Sequence, residues 1–501
     1  MATDPVRAVD LAHLTIDAFA GRPVAVLGLA RSGIALARFM ADQGARVTVY
    51  DARPEAELSL EADKLEGRPV RLMLGPDVDP AAVLRGQALI CTSPSINSRY
   101  PTTEPRLRAA LADVERAGRV PVVSEIDLFL RLCPAVTIGV TGTKGKTTTA
   151  SLIAAVLGAG VPVVVLGGNI GIPLVERLPE LTAEHRVVLE LSELQLPTVS
   201  RGTDVAVYTH VTSDHLDRHG TVEAYRAAKR RLAELVSAEG RLVLNAEDLI
   251  SKAFADASPA AAVFYRRGEP ASGGVGVRNG WVVASDVARL AGAGGGTAAT
   301  GPGGRILPLG EVLLPGAHNT SNVLAAVTVG LLFGIAPDAI RREVGSFVGV
   351  EHRLETVAVL DGVRFVNDSQ GTQPDAVIAA LRSFDAPIVL IAGGRTKNVP
   401  LDELAAEVAR RAAAVVLIGE TADEMATLFT DAGLSRYEHA SDMDDAVQRG
   451  FAIARALRPT HGTATVLLRP AATSFDMFID YAARGQAFKD AVHRLAAQSD
   501  R

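Results

Sequence analysis

The amino-acid sequence predicts an α/β protein built from parallel sheets. Short apolar runs typical of buried strands alternate along the chain with segments of helical periodicity. Two glycine-containing turns stand where a strand passes into a helix, as in sheets that bind nucleotides. A chain of 501 residues is too long to fold around a single hydrophobic core, so we expect three domains of roughly 150 residues each. Changes of pattern place them at residues 1–134, 135–349 and 350–501.

Composition argues against several classes of protein. The chain is 48% hydrophobic and 22% charged, with a net charge of −6. No cluster of Lys and Arg forms a stripe with interleaved aromatic residues, so we expect no nucleic-acid partner. The first residues lack an apolar leader and no run of about 18 apolar residues follows, which predicts a cytoplasmic protein without membrane insertion. Cys91 and Cys133 are far apart in the sequence and are expected to be reduced core thiols.

A phosphate-binding turn follows the apolar strand Val136–Val140. Gly142 and Gly145 let the backbone turn its N–H groups toward an anion, and the next helix offers its positive N-terminus. Lys146 supplies a charge for the outer phosphates, and Thr147 supplies a hydroxyl for the Mg²⁺ that accompanies a nucleotide. The strict Walker spacing asks for glycine at position 140, which holds valine, so a Gly-Lys turn without a ligand is the alternative. The sequence favours bound ATP.

A second glycine turn lies near the N-terminus. The strand Pro23–Leu27 leads through Gly28 into the helix Ile34–Gln43, and a second strand ends at Asp51. This pattern is typical of a βαβ unit that binds a dinucleotide, so an NAD-dependent oxidoreductase is one alternative. Ala30 replaces the middle glycine of that fingerprint, which impairs the approach of a pyrophosphate. We therefore expect a Rossmann-like domain that holds another diphosphate, or else a βαβ unit without a ligand.

The first domain continues with further strands and helices. A buried strand, a polar loop and a helix are predicted at Ala88–Cys91, Thr92–Ser95 and Arg106–Gly118. Open α/β sheets bind ligands at the carboxyl ends of their strands. The polar loop that ends in Ser95 is therefore a candidate binding segment.

Polar residues also follow the predicted strands of the central domain. Asn169 stands among glycines, and Glu190 lies near the end of the strand Arg186–Leu191. A buried ionised carboxylate is costly unless it is paired or binds a metal, so we interpret Glu190 as a Mg²⁺ ligand. The loop His210–His219 carries three histidines and two aspartates. It is either a solvated loop or a site in which His215 is a second metal ligand.

Three further predictions concern this domain. Lys229 lies in a predicted helix and by pattern alone is a surface lysine. Asn319 and Asn322 precede the helix Val323–Phe333 and, three residues apart, share one face from which both amides could reach one ligand. Helix capping alone would explain one of them. The stretch 267–310 is rich in glycine and indicates hairpins and flexible excursions rather than core.

The third domain carries a polar cluster after each of several predicted strands. These strands are Val363–Val366, Ile388–Ala392, Ala414–Ile418 and Thr465–Leu468. Parallel strands bring their carboxyl ends to one edge of a sheet. Asp368, Lys397 and Ser474 are therefore candidates for the site of a third ligand.

Nine motifs stand in register along nearly the whole chain. They are GTKGKT (142–147), GGNIG (167–171), ELSELQL (190–196), SDHLDRHG (213–220), YRAAK (225–229), GAHNTSN (316–322), EHRLE (351–355), NDS (367–369) and PAATSFDMF (470–478). In order and spacing they resemble the Mur ligases of peptidoglycan synthesis. The resemblance implies a Rossmann-like first domain that binds a UDP-sugar, a central P-loop-type ATPase domain with a parallel sheet, and a Rossmann-like third domain that binds an amino acid.

The implied activity is ATP-dependent addition of D-glutamate to UDP-N-acetylmuramoyl-L-alanine. The carboxylate of this acceptor would attack the γ-phosphate of ATP, and the glutamate amine would then attack the resulting acyl phosphate. ATP and Mg²⁺ would be the cofactors, and we expect a monomer. This chemistry needs a phosphate cradle and cations around the migrating phosphoryl group, which the residues above supply.

The resemblance also implies residue roles. The catalytic residues would be Lys146, Lys229, His215 and Asn169. The metal ligands would be Thr147, Glu190, His215 and a carbamylated Lys229. ATP would contact Gly142, Thr143, Lys144, Gly145, Lys146, Thr147, Thr148, Asn319, Asn322, Arg353 and Asp368. The UDP-substrate would contact Arg31, Ser32, Asp51, Arg53 and Ser95. The amino acid would contact Thr372, Lys397, Ser474 and Phe475.

Several positions depart from the family pattern. Lys144 stands where an asparagine is usual, Gln370 stands where many members have a lysine, and Gln373 also differs. These departures leave the reaction type unchanged but do not determine which amino acid is added, so a ligase for L-glutamate is the nearest alternative. Folylpolyglutamate synthase shares the ATP domain, but Asp51 and Arg53 favour a UDP-sugar. A non-catalytic binding protein would not need the metal ligands that this chain retains.

Overall fold

The computed structural model describes residues 7–171, 173–213, 216–314, 316–372, 374–395, 401–460, 462–474 and 476–499. The chain divides into two compact units, unit 1 at Met1–Phe347 and unit 2 at Val348–Arg501. Unit 1 contains two sheets and unit 2 contains a third. The α/β class with largely parallel sheets is confirmed. The predicted boundary at residue 134 falls inside unit 1 and stays a prediction.

The first sheet is parallel throughout, in the order β3-β2-β1-β4-β5. Its strands are β1 (Pro23–Leu27), β2 (Arg46–Asp51), β3 (Val70–Leu74), β4 (Leu89–Thr92) and β5 (Val122–Ser124). Its helices are α1 (Arg31–Asp42), α2 (Ser59–Asp63), α3 (Pro80–Leu84), α4 (Pro105–Ala117) and α5 (Glu125–Leu132). Helix α1 begins three residues before its predicted start, because Gly28, at φ 90°, already turns the chain after β1. Arg31 and Ser32 therefore lie in its first turn.

The second sheet has nine strands in the order β14-β13-β12-β11-β10-β9-β6-β8-β7. They are β6 (Val136–Thr141), β7 (Val164–Gly168), β8 (Arg186–Glu190), β9 (Val205–Tyr208), β10 (Arg241–Asn245), β11 (Ala261–Tyr265), β12 (Gly274–Arg278), β13 (Trp281–Ser285) and β14 (Arg305–Pro308). The helices are α6 (Lys146–Gly158), α7 (Leu216–His219), α8 (Val222–Leu235), α9 (Leu249–Lys252), α10 (Ala317–Leu332) and α11 (Pro337–Ser346). Only the pairs β12–β13 and β13–β14 are antiparallel among the strands described here.

Two sequence predictions are wrong in this sheet. The glycine-rich stretch forms hairpins, as predicted, but it also contributes to the core, because Val275, Val282 and Leu307 are fully buried. The glycines turn the chain between strands whose valines and leucines point inward. Helix α10 begins at Ala317 rather than at 323, after Gly316 with φ 91°. The polar residues in its first turns are typical of a loop, so the sequence predicts a later start for this helix.

The third sheet, in unit 2, has the order β15-β16-β20-β17-β18-β19, and only β15 is antiparallel to its neighbour among the pairs described. The strands are β15 (Glu355–Leu360), β16 (Val363–Asn367), β17 (Ile388–Gly393), β18 (Ala412–Ile418), β19 (Tyr437–His439) and β20 (Ala464–Leu468). The helices are α12 (Pro374–Leu381), α13 (Asp402–Arg411), α14 (Ala422–Asp431), α15 (Met443–Leu457) and α16 (Tyr481–Ser499). Among all helices described, none combines the length and apolar character needed to cross a bilayer.

Candidate active site

The turn between β6 and α6 is shaped by two glycines. Gly145 precedes the helix with φ 85°, and a Cβ there would lie 2.6 Å from Asn322 Oδ1. A Cβ on Gly142 would lie 2.0 Å from Thr209 Oγ1. Neither position has room for a side chain. The backbone therefore passes closely under the N-terminus of α6, which is the geometry of a phosphate cradle.

The basic and hydroxyl groups predicted for this cradle lie beside it. Lys146 Nζ donates to the carbonyl oxygens of Gly142 and Thr143, at 3.1 and 3.0 Å. Thr147 is buried and Thr148 half-buried in the first turn of α6. The lysine thus lies folded across the turn that would receive the phosphates.

The turn is also fixed by neighbouring elements. The hydroxyl of Thr143 lies 2.9 Å from that of Tyr225 on α8 and accepts from Thr212 N at 3.0 Å. Thr209 Oγ1 donates to the carbonyl of Lys144 at 2.6 Å, while the Lys144 side chain is exposed. These contacts fix the conformation of the turn.

Glu190 ends β8 in the position predicted for a metal ligand. The residue is only 2% exposed. Its Oε1 accepts from Asn169 Nδ2 at 3.0 Å, and its Oε2 is buried without a hydrogen-bond partner in the part of the chain that is described. A buried carboxylate oxygen in this state is unfavourable unless a ligand satisfies it. The structure thus places the side chains of Asn169 and Glu190 in contact at this edge of the sheet.

Lys229 is fully buried, so its prediction as a surface lysine is wrong. It belongs to the inward face of α8, together with Tyr225 and Leu232. Its Nζ donates to Thr141 Oγ1 at 3.2 Å, and Thr141 Oγ1 donates in turn to the carbonyl of Leu191 at 2.8 Å. The amine therefore lies at the carboxyl end of β6, next to the phosphate turn.

Asn319 and Asn322 share a face of α10, which confirms their predicted placement. Asn322 Nδ2 donates to Asn319 Oδ1 at 3.0 Å. Asn322 Oδ1 also accepts from Thr149 Oγ1 of α6 at 3.2 Å. The pair is thereby attached to the helix that begins at the phosphate turn.

A cleft of about 380 Å³ lies at the carboxyl edge of the first sheet. Asp51, Arg53 and Ser95 all line it, together with Leu194 and Arg218 from the second-sheet region. Asp51 accepts from Arg53 Nη2 at 2.8 Å and from the Leu29 backbone at 2.8 Å. Burial by itself would raise the pKa of Asp51, but these hydrogen bonds outweigh it and the pKa lies below its ordinary value. The cleft therefore presents a charged pair to a ligand.

Arg31 and Ser32 occupy a different place. Arg31 Nη1 donates to the carbonyl of Gly171 at 3.1 Å, and its Nη2 donates to that of Asn169 at 3.3 Å. Ser32 is half-buried in the same first turn of α1. This turn thus meets the loop that carries Asn169.

In unit 2, the ends of β16 and β20 carry the predicted polar residues side by side. These strands are parallel neighbours, with Asn367 opposite Leu468. Asp368 forms a buried ion pair with Arg469, and Ser474 is buried further along the second loop. Burial and the nearby positive charge of Arg353 act to lower the pKa of Arg469, while the charge of Asp368 acts to raise it.

Arg353 itself is exposed and Thr372 is half-buried. His215, Lys397 and Phe475 lie outside the described residues, so their predicted roles stay predictions. Within the described residues no group of three His, Cys, Asp or Glu side chains is placed to hold a metal. The predicted metal set relies instead on a threonine, Glu190, a modified lysine and His215.

Comparison with known proteins identifies the family. The Mur ligase middle domain matches residues 140–330, and the Mur ligase, glutamate ligase domain matches residues 352–472. A UDP-N-acetylmuramoylalanine--D-glutamate ligase of Roseiflexus sp. (strain RS-1) is 39% identical over 485 residues, covering 94% of this chain and 98% of the relative. This chain belongs to the Mur ligase family.

Further Mur ligases agree in sequence or fold. An enzyme of the same name from Symbiobacterium thermophilum is 39% identical over 474 residues, covering 94% of this chain and 98% of the relative. The solved structure of MurF from Acinetobacter baumannii has a TM-score of 0.52 at 15% identity, covering 94% of this chain and 93% of the other. The solved structure of UDP-N-acetylmuramate-alanine ligase MurC from Thermotoga maritima has a TM-score of 0.51 at 17% identity, covering 95% of this chain and 100% of the other. At such identities the two structures show the shared fold alone.

Sequence reasoning missed three features of this Mur ligase. Arg469 directly follows the apolar run of β20, and a charge in that position is itself a signal, because buried charges need partners. Tyr225 positions Thr143 through its hydroxyl. The spacing of Tyr225, Lys229 and Leu232 marks one face of α8 and could have indicated that Lys229 is buried.

Proposed function

We propose that this Mur ligase uses ATP to join D-glutamate to the carboxylate of UDP-N-acetylmuramoyl-L-alanine. The observation that carries the proposal is the name shared by relatives that are 39% identical over nearly the full length of both chains. The product would be a precursor of peptidoglycan, made in the cytoplasm by a monomer. The phosphate turn and the buried Glu190 support the dependence on ATP.

The residues at the turn fit a Mg²⁺-bound nucleotide. Gly142 and Gly145 leave space that a Cβ would fill, and Glu190 Oε2 has no other partner among the described residues. Thr147 and Glu190 would hold the metal, with His215 and a carbamylated Lys229 as ligands of a second ion. When bound, Mg²⁺ neutralises the phosphate oxygens and lets two anions approach each other.

Lys229 would be carbamylated when its neutral amine adds to CO₂ and loses a proton, which replaces a fully buried amine with a carboxylate. Thr141 Oγ1, now 3.2 Å from the amine nitrogen, would stay beside the modified group. Asn169 would hold Glu190 in place and face the phosphates. Lys146 would leave the carbonyls of its own turn and place its charge on the migrating phosphoryl group.

The reaction would proceed in two steps. A carboxylate oxygen of the acceptor bonds to the γ-phosphorus as the bond from that phosphorus to the β-bridging oxygen breaks, which gives an acyl phosphate and ADP. The neutral amine of glutamate then bonds to the acyl carbon, phosphate leaves, and the amine proton is lost. This chain would supply orientation and positive charge for both steps.

The remaining ligands would lie on the predicted residues of each sheet. Asp51, Arg53 and Ser95 would hold the uridine end of the acceptor in the cleft, with Arg31 and Ser32 near its diphosphate. The nucleotide would contact Asn319, Asn322, Arg353 and Asp368, as well as Thr143, Lys144 and Thr148 of the turn. Glutamate would contact Thr372, Lys397, Ser474 and Phe475.

One observation favours a second candidate, a ligase for L-glutamate. Gln370 stands where many members have a lysine that helps to bind the amino acid. The glutamate carboxylates would therefore be held differently from the family pattern. Such a change alters selectivity among amino acids without altering the chemistry.

Phosphate release with UDP-N-acetylmuramoyl-L-alanine and a panel of D- and L-amino acids tests the proposal. We expect D-glutamate to exceed every other amino acid by about tenfold or more. Lys146→Ala, which removes the charge over the phosphate turn, should abolish the release. Preference for L-glutamate would support the second candidate, and no release with any amino acid would contradict both.

A further inference from the structure

The loop that carries Asn169 is held from the first-sheet side of unit 1. We define the Asn169 loop as residues 168–171 and 173–175. Arg31 of α1 donates to its carbonyls at Asn169 and Gly171. Glu125 Oε1, at the start of α5, accepts from Val175 N at 3.4 Å. The loop is thus anchored near both ends by helices that pack on the first sheet.

The same loop determines how Glu190 is presented. Asn169 N donates to the Glu190 carbonyl at 2.8 Å, and Asn169 Nδ2 donates to Oε1 at 3.0 Å. Oε2 is left for a ligand, since it has no hydrogen-bond partner within the described chain. Any shift of the loop would move the amide that orients this carboxylate.

Arg31 directly follows the first glycine turn, where the proposed function places the diphosphate of the acceptor. It is the first residue of α1, directly after the turn that begins at Gly28. Its side chain is exposed. A guanidinium has five N–H donors, and the two carbonyls of the Asn169 loop use two of them. The others remain for phosphate oxygens, to which arginine binds strongly.

We propose that Arg31 is a positioning residue that couples binding of the acceptor's diphosphate to binding of the metal–nucleotide at Glu190. A phosphate that fixes the guanidinium also fixes the Asn169 loop, and through Asn169 the metal-facing carboxylate. Because coupling between sites is reciprocal, each ligand then raises the affinity for the other. The inference rests on the proposed function, since that function places a diphosphate at this turn.

Calorimetric titration of the whole chain with ADP tests the coupling without turnover. The affinity for ADP is measured with and without saturating UDP-N-acetylmuramoyl-L-alanine, in Mg²⁺ and in EDTA. In Mg²⁺ we expect the acceptor to tighten ADP binding in the parent protein by about fivefold or more. In EDTA the effect should vanish, because the path runs through Glu190. Arg31→Ala should bring the ratio in Mg²⁺ to about one, and Arg31→Lys should retain part of it.

Two control variants separate coupling from general loss of charge. Arg46→Ala removes an exposed arginine at the start of β2 and should keep the parent ratio. Arg53→Ala alters the cleft and should weaken acceptor binding, yet at saturation keep the ratio. An unchanged ratio in Arg31→Ala, or a parent protein that binds both ligands independently, would overturn the inference and leave the proposed function standing. A parent protein that does not bind the acceptor would overturn the function itself, and the inference with it.

Discussion

Glu190 is where a single charge should matter most at the residue scale, because one of its oxygens is buried without a partner among the described residues. Glu190→Gln keeps an oxygen to accept from Asn169 but removes the charge that a metal requires. We expect phosphate release to fall by about a hundredfold, with a higher Mg²⁺ requirement. Glu184→Gln, which neutralises an exposed carboxylate, should release phosphate at the rate of the parent protein. Wild-type dependence on Mg²⁺ in Glu190→Gln would show that this carboxylate does not bind the ion.

Lys229 allows a second test at the same scale. Lys229→Ala should nearly abolish phosphate release, because the variant cannot carry a carbamate. Short carboxylic acids should restore part of the activity by occupying the space beside Thr141. Lys252→Ala, which removes an exposed lysine, should keep full activity without added carboxylic acid. Full activity of Lys229→Ala in plain buffer would show that the carbamate assignment is wrong.

Glu125 predicts a pH dependence of stability. Burial raises its pKa from 4.5 to about 7, although the Val175 backbone and Arg31 oppose the shift. Between those two pH values the folded chain holds a proton that the unfolded chain has lost, so the free energy of unfolding falls as pH rises. The free energy of unfolding of Glu125→Gln should therefore rise relative to that of the parent as pH increases from about 5 to 7, by up to about 3 kcal/mol. The melting temperatures of the two proteins, measured across this range, check the difference. A difference that does not vary with pH, or one equal to that of the exposed Glu239→Gln, would contradict this account.

At the scale of elements, the phosphate turn owes its shape to glycine at position 145. Gly145→Ala would place a Cβ at φ 85° and 2.6 Å from Asn322 Oδ1. We expect about 1–2 kcal/mol of local strain, and nucleotide affinity measured by calorimetry should fall about tenfold or more. Gly158→Ala, at the end of the helix that follows, is the matched control, because within the described chain its Cβ would meet no atom of another element within 4 Å. Equal affinities in the two variants would contradict a role for the turn's conformation.

Elements with strong periodicity were predictable from sequence, and their beginnings often were not. The strand at 136 and the helix at Lys146 follow directly from an apolar run, glycines and a lysine. Polar residues such as His318 and Asn319 are typical of loops, so the sequence predicts a shorter helix α10 than the one that tertiary packing stabilises. The many glycines near Val282 predict hairpins outside the core, although the valines that alternate with them indicate buried strands.

The candidate site was predictable only in part, for a physical reason. Glu190 and Asn169 could be placed at strand ends, since parallel strands share an edge. The bonds of Arg31 to the Asn169 loop join residues about 140 positions apart, and no local pattern encodes such a contact. The pairing of Asp368 with Arg469 likewise depends on β16 and β20 being neighbours.

At the scale of the whole molecule, each of the three sheets carries its polar loops at its carboxyl edge, so each ligand should protect its own stretches of chain. Hydrogen exchange of the intact protein checks this distribution. The acceptor alone should slow exchange at residues 28–33 and 51–53, and Mg²⁺ with ADP at residues 141–147. With both present, D-glutamate should slow exchange at residues 370–372 of unit 2. Protection of about tenfold is expected for ligands held well above their dissociation constants. Nucleotide protection confined to residues 28–53 would instead indicate a dinucleotide site on the first sheet, and the ATP site at Lys146 would be wrong.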